Sequence, residues 1–124
     1  MRVAFKNLES SEFMRNLAIE KVNHVLEKFP ELDHPTVSIV ISMENSQFHA
    51  GRDLFKVKAI MLSRGLKPVI IEKEAINPYQ AIAHLSDRMF EVIHRSLERR
   101  RERARSDRRK WKEVSFEPEG KRAG

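Results

Sequence analysis

Apolar and polar residues alternate with two different periods along this chain, and the changes of period mark out its elements. Arg2 to Lys6 alternates one by one, Val3 and Phe5 against Arg2, Ala4 and Lys6, which is the period of a half-buried strand. After Ser10 and Ser11, either of which can cap a helix, the period lengthens. Met14, Ala18, Val22, Val25, Leu26 and Phe29 share one helical face, and Pro30 closes the pattern. His34-Pro35 is a breaker. Alternation returns over Thr36 to Met43, with Val37, Ile39, Ile41 and Met43 on one face and Val40 the only apolar residue on the other. Residues 44–52 are polar around Gly51 and predict a loop or wide hairpin. A third strand follows over Asp53 to Leu62, where Phe55, Val57, Ala59 and Met61 oppose Lys56, Lys58 and Ile60. A turn at Ser63 to Pro68 leads to a fourth over Val69 to Glu74, Val69 and Ile71 inward, Glu72 and Glu74 outward.

The last element opens on Asn77-Pro78-Tyr79-Gln80: a side-chain cap, a proline at the first helical position and a glutamine that can reach back to the cap. At 100° per residue Tyr79, Ile82, Leu85, Met89, Ile93 and Leu97 fall on one arc, with His84, Asp87, Arg88, Glu91, Arg95 and Glu98 around the rest. Beyond Leu97 the stripe stops. The order β-α-β-β-β-α predicts an α+β domain with a four-stranded mixed sheet and two helices packed on one face. A right-handed crossover makes the first two strands parallel, and short turns make the rest antiparallel. The other face would show Arg2, Lys6, Ser38, Ser42, Lys56, Lys58, Glu72 and Glu74 to water. The expected organisation is a compact domain over 1–98, a basic extension of the second helix over 99–112, and a disordered tail over 113–124, where Pro118 and Gly120 leave little to pack.

Charge changes the picture only in one place. Residues 1–98 carry 13 basic and 13 acidic side chains, residues 99–112 nine and two, and residues 113–124 two and three. The formal charge of +6 therefore originates in the segment RRRERARSDRRKWK. As a helix, its 14 residues would extend roughly 20 Å, the span of several phosphates. A polyanion is the natural partner, although an Arg-rich helix that only confers solubility has the same composition. Trp111 inside the run can stack on a base, fold back on Phe116 or fray.

The remaining chemistry is negative. The 124 residues, 40% apolar, suffice for a single modest core. With no cysteine there is no disulfide, thiolate metal site or cysteine nucleophile. His24, His34, His49, His84 and His94 do not pair at helical ligand spacing, Glu72 and Glu74 read as a solvated strand face opposite Lys56 or Lys58, and Ser86-Asp87 lie on different helix faces. The expectation is a non-enzyme without metal, cofactor or small-molecule substrate. No signal peptide or membrane span is predicted, and residues 99–112 lack the apolar face of an interfacial helix, so a cytoplasmic protein is expected.

At this point the residues carry a resemblance. The second helix, with Asn77, Tyr79, Ala81, Ile82, Asp87, Arg88 and Met89, resembles the D-x-Y-x-A-I-D-x-x-x-D-K-L pattern of the ribosome hibernation-promoting and ribosome-associated inhibitor family. The first helix adds Glu12, Met14, Arg15, Lys21 and Phe29, similar to that family's T-E-A-L-R start and aromatic end, so the likeness covers roughly residues 2–105. Asn77 stands in place of Asp, which keeps the cap, and Ala83 in place of a second Asp. The length suits a short form without the second, dimerising domain.

What the resemblance implies is a stress and stationary-phase factor that binds the small (30S) subunit and the 70S ribosome. It would occupy the decoding channel through 16S ribosomal RNA backbone, block messenger and transfer RNA, and be monomeric off the ribosome. Lys21, Arg88, Arg95, Arg99 and Arg101 are the family-matched RNA-binding positions. Arg100, Arg103, Arg105, Arg108, Arg109, Lys110 and Lys112 join them on charge alone. The other readings are an RNA-binding protein with a different target and a protein-interaction module built on the Arg-rich helix.

Overall fold

The computed structural model describes residues 1–45 and 53–116, with side chains described for 1–44 and 53–109. The elements follow the expected order: β1 (Arg2–Lys6), α1 (Glu12–Glu27), β2 (Thr36–Asn45), β3 (Asp53–Leu62), β4 (Val69–Ala75) and α2 (Pro78–Phe116). The sheet runs β1-β2-β3-β4, parallel between β1 and β2 and antiparallel elsewhere. The register brings Val3 beside Ile39, Ile39 beside Ala59 and Ala59 beside Ile71, so the apolar set of every strand faces the same way.

That face is the core. Val37, Ile39, Ile41, Val57, Ala59, Met61, Val69 and Ile71 are buried on the sheet. So are Ala18, Val22 and Val25 on α1, and Ala81, Ile82, Leu85, Met89 and Ile93 on α2. Ser11 caps α1 by accepting a hydrogen bond from the Met14 amide at 3.2 Å. Asn77 caps α2, its Oδ1 accepting from the Tyr79 amide at 2.8 Å, and the first helical bond runs from the Ala81 amide to the Asn77 carbonyl. α1 stops at Glu27, two residues short of the expected end, yet Phe29 remains buried in the turn that follows and its ring lies 5.1 Å from that of Phe90.

Further details differ from the sequence reading. Tyr79 is not core: it is 44% exposed and meets the exposed Phe13 edge to face at 5.8 Å, a surface contact between the first turns of the two helices. The buried face of α2 also takes in Ser86, whose hydroxyl donates to the Ala83 carbonyl at 2.9 Å and so carries no unmet hydrogen bond inward. β2 extends into the expected loop, with Glu44 and Asn45 opposite Leu54 and Asp53, and Lys56 Nζ 3.0 Å from a Glu44 carboxylate oxygen. The rest of that loop, residues 46–52, lies outside the described residues. Finally, the open face of the sheet is less polar than expected, because Leu62 and Ile70 join Val40 there, both at least half exposed.

The chain divides after Ile93 into two compact units. In the second, α2 continues through Phe116 and takes in residues 113–116 of the segment expected as a tail. Residues 117–124 lie outside the described residues. Among the described residues Leu97 is the last buried apolar residue of the helix, and every residue from Arg101 to Arg109 is exposed.

Candidate nucleic-acid interface

In the first unit the candidate cations sit on both helices. Lys21 is exposed on α1, where it shares a stripe with His24 and Lys28, three and seven residues on. This stripe lines one wall of a groove of about 370 Å³ between α1 and α2. The other wall comes from Ser86, Asp87 and Phe90. Lys28 holds its ammonium 5.2 Å from the centre of the Phe90 ring, a cation–π contact. Arg88 does not line the groove. It is half-buried, with its guanidinium 3.3 Å from the Glu91 carboxylate one turn on. Neither His24 nor Lys28 was among the candidates, although their spacing from Lys21 puts all three on one helical stripe. The missing signal was the groove, which needs the partner helix.

In the second unit the cations are dense and differently arranged. Arg95, Arg99, Arg101, Arg103, Arg105, Arg108 and Arg109 are exposed and Arg100 is half-buried. At 100° per residue they surround the helix axis rather than form one stripe. Between 99 and 109 seven arginines face only Glu102 and Asp107. Glu98 accepts a hydrogen bond from Arg101 at 2.6 Å. Such a cluster sets up a positive potential that draws polyanions and falls with ionic strength. Lys110, Trp111 and Lys112 are helical in backbone, and their side chains lie outside the described residues.

The open sheet face has a different character. Lys56 is held above its ordinary pKa, first by the hydrogen bond and charge of Glu44 and then by Glu72, with partial desolvation opposing. Lys58 stands opposite Glu72 and Lys56 opposite Glu74 in the sheet, so cations there face carboxylates. Among the described residues no three His, Asp or Glu side chains gather as metal ligands, and no helix is long and apolar enough to cross a membrane.

No protein-family model and no curated protein sequence matches this chain. Solved structures do. The N-terminal domain of Thermus thermophilus protein Y superposes with a TM-score of 0.55 at 16% identity, covering 76% of this chain and 93% of that one. This is the protein Y fold. A ribosomal subunit interface protein from Coxiella burnetii also shares the fold, with a TM-score of 0.59 at 13% identity over 77% of this chain and 96% of that one. At these identities the likeness is one of fold. The present chain carries seven arginines between residues 99 and 109 of α2, whereas the charges of residues 1–98 balance.

Proposed function

We propose that this chain is a ribosome-binding translation inhibitor of the hibernation-factor kind. It would enter the decoding channel of the 30S subunit, alone or within the 70S ribosome, and exclude messenger and transfer RNA by occupying their place. The observation that carries the reading is the protein Y fold, shared with a ribosomal subunit interface protein and joined to a helix whose arginines surround its axis. Lys21 and Arg88 in the first unit, and Arg95, Arg99, Arg100, Arg101, Arg103, Arg105, Arg108 and Arg109 in the second, are assigned to 16S ribosomal RNA phosphates. Lys110 and Lys112 are added from sequence.

Contacts of this type position a protein without reading bases, which suits structured RNA whose major groove is too narrow for side chains. Inhibition by occupancy needs no reacting group, so no catalytic residue is assigned. The protein acts as a monomer off the ribosome, and a stress-response, cytoplasmic role follows from the same reading. The test is competition: 30S particles preloaded with the chain should fail to bind initiator transfer RNA and messenger, with binding restored at high salt. Undiminished transfer RNA binding on saturated particles would refute occlusion.

A second reading has its own support. Arginines all around a helix would suit any structured RNA, and nothing in that array selects the ribosome. Comparable affinity for unrelated hairpin RNAs would favour it.

A further inference from the structure

α1 and α2 touch at both ends of a furrow. At one end the Phe13 and Tyr79 rings stand edge to face, their centres 5.8 Å apart and their planes at 82°. At the other, Lys28 lies over the Phe90 ring and Phe29 packs against it, so that ring is taken and closes the furrow. Helix geometry sets the line between the two ends. At 100° per residue Phe13, Lys21, His24 and Lys28 fall within an arc of about 80° on α1, and Tyr79 and Phe90 within about 20° on α2. Lys21 and His24 line the groove toward the closed end. Leu17 and Ala83, both half-buried, lie between that groove and the aromatic pair.

Phe13 is the residue that the fold does not explain. It is 67% exposed, and among the described residues Tyr79 is its only ring contact, so most of its surface adds nothing to the core. No hydrogen bond or ion pair among the described residues engages the side chain of Lys21 or His24. An open aromatic ring at the head of a stripe that continues in free cations is the pattern of a single-strand nucleic-acid seat, where rings take bases and cations take phosphates. Charge limits the length of strand that fits. Glu20 and Asp87 also line the groove and offset Lys21 and Lys28 while His24 is neutral, so a long run of phosphates is not held here and stacking has to supply much of the affinity. From Phe13 to Lys28 the helix rises about 22 Å, the reach of about four nucleotides.

We propose that this furrow seats a short unpaired stretch of RNA, one base stacked on Phe13 and the phosphates that follow it on Lys21 and His24. A base parallel to the Phe13 ring stands edge-on to Tyr79, the second favoured arrangement of aromatic rings. The seat rests on the RNA-binding part of the function proposed above, adds base stacking to its phosphate contacts, and does not require the ribosome as the target.

The experiment is an amide NMR titration of the full chain, at moderate salt, with a uridine tetranucleotide and with its abasic counterpart, the same ribose-phosphate strand without bases. The tetranucleotide should shift residues 13–28 and 79–90 in a saturable way, and the abasic strand should bind there about tenfold more weakly, the scale of one stacked base. Phe13→Leu should bring the tetranucleotide close to the abasic level and Phe13→Trp should restore it, while Lys21→Gln should weaken both strands by the same factor. The spectra themselves report that each variant is folded. The tenfold ratio should hold as salt is raised, because stacking neutralises no phosphate. No saturable shift along the furrow, equal binding of the abasic strand, or a Phe13→Leu chain that binds like wild type overturns the proposal. A chain that sediments with 30S particles while its furrow ignores the tetranucleotide keeps the ribosome reading and loses the seat. One that fills the furrow but ignores 30S keeps the seat and loses the ribosome.

Discussion

Replacing Arg103, Arg105, Arg108 and Arg109 together by glutamine isolates the electrostatic contribution of the second unit. All four side chains are exposed and lie beyond Leu97, the last buried apolar residue among those described. Their loss should move the unfolding free energy by no more than about 0.5 kcal/mol, the usual range for surface positions without packing. Binding should respond very differently. Each phosphate neutralised adds about 0.7 to the slope of log affinity against log salt on single strands and about 0.9 on duplex, so four contacts account for a slope of about 3 to 4. Between 50 and 200 mM salt that slope corresponds to a loss of about 50- to 150-fold. The quadruple variant should therefore bind RNA with a salt dependence shallower by about 3, and most of its affinity deficit should appear at low salt. Fluorescence anisotropy against a labelled ribosomal RNA fragment at four salt concentrations gives both slopes. An unchanged slope with an unchanged melting curve would refute the assignment of these arginines to phosphates. A fall in melting temperature would show that the segment packs after all.

Other outcomes follow from the body. Ile82→Ala and Met89→Ala remove side chains that are fully buried, and each should cost about 2–5 kcal/mol in chemical denaturation. Ser11→Ala removes the cap that accepts from the Met14 amide and should cost about 1 kcal/mol in the same assay, with Ser11→Asn close to neutral. Lys56 is held charged in the folded state by Glu44 and Glu72, so its pKa is higher folded than unfolded. The stability it contributes is full at neutral pH and is lost as pH rises through the raised lysine value. Lys56→Gln should flatten the alkaline limb of a melting-temperature profile relative to wild type, and identical alkaline limbs would contradict the ion pair.

The strands were legible because one face of each is buried, and a period of two then survives in the sequence: Val37, Ile39 and Ile41 answer Val57, Ala59 and Met61 across the register. The long helix was legible for the same reason at a period of 3.6; its Asn77 cap could be named from residue type, and the first helix's cap narrowed to Ser10 or Ser11, of which Ser11 accepts the bond. What escaped depended on a partner. Glu44 looks like loop, and only Lys56 across the sheet shows why a carboxylate belongs in β2. Tyr79 fits the apolar arc of α2, but its place in the first turn sets it against exposed Phe13. His24 and Lys28 repeat the spacing of Lys21, yet they gain meaning only when Asp87 and Phe90 face them across the groove.

Charge segregation needed no structure at all, since residues 99–112 hold nine cations whatever they fold into. Its arrangement did need one. An arc with one cationic side and a helix cationic all round have the same composition, and only the helical backbone through Phe116 places the arginines around an axis.

The central claim is ribosome binding, and co-sedimentation tests it most directly. Full-length chain and a version ending at Glu98, each confirmed folded, are layered with purified 30S, 50S and 70S particles on sucrose gradients at low and moderate salt. The account predicts that the full chain travels with 30S and 70S but not with 50S, and that the shortened chain is released at moderate salt. If the full chain stays at the top of every gradient while still binding other RNA, the protein Y fold here serves a different target and the account is contradicted.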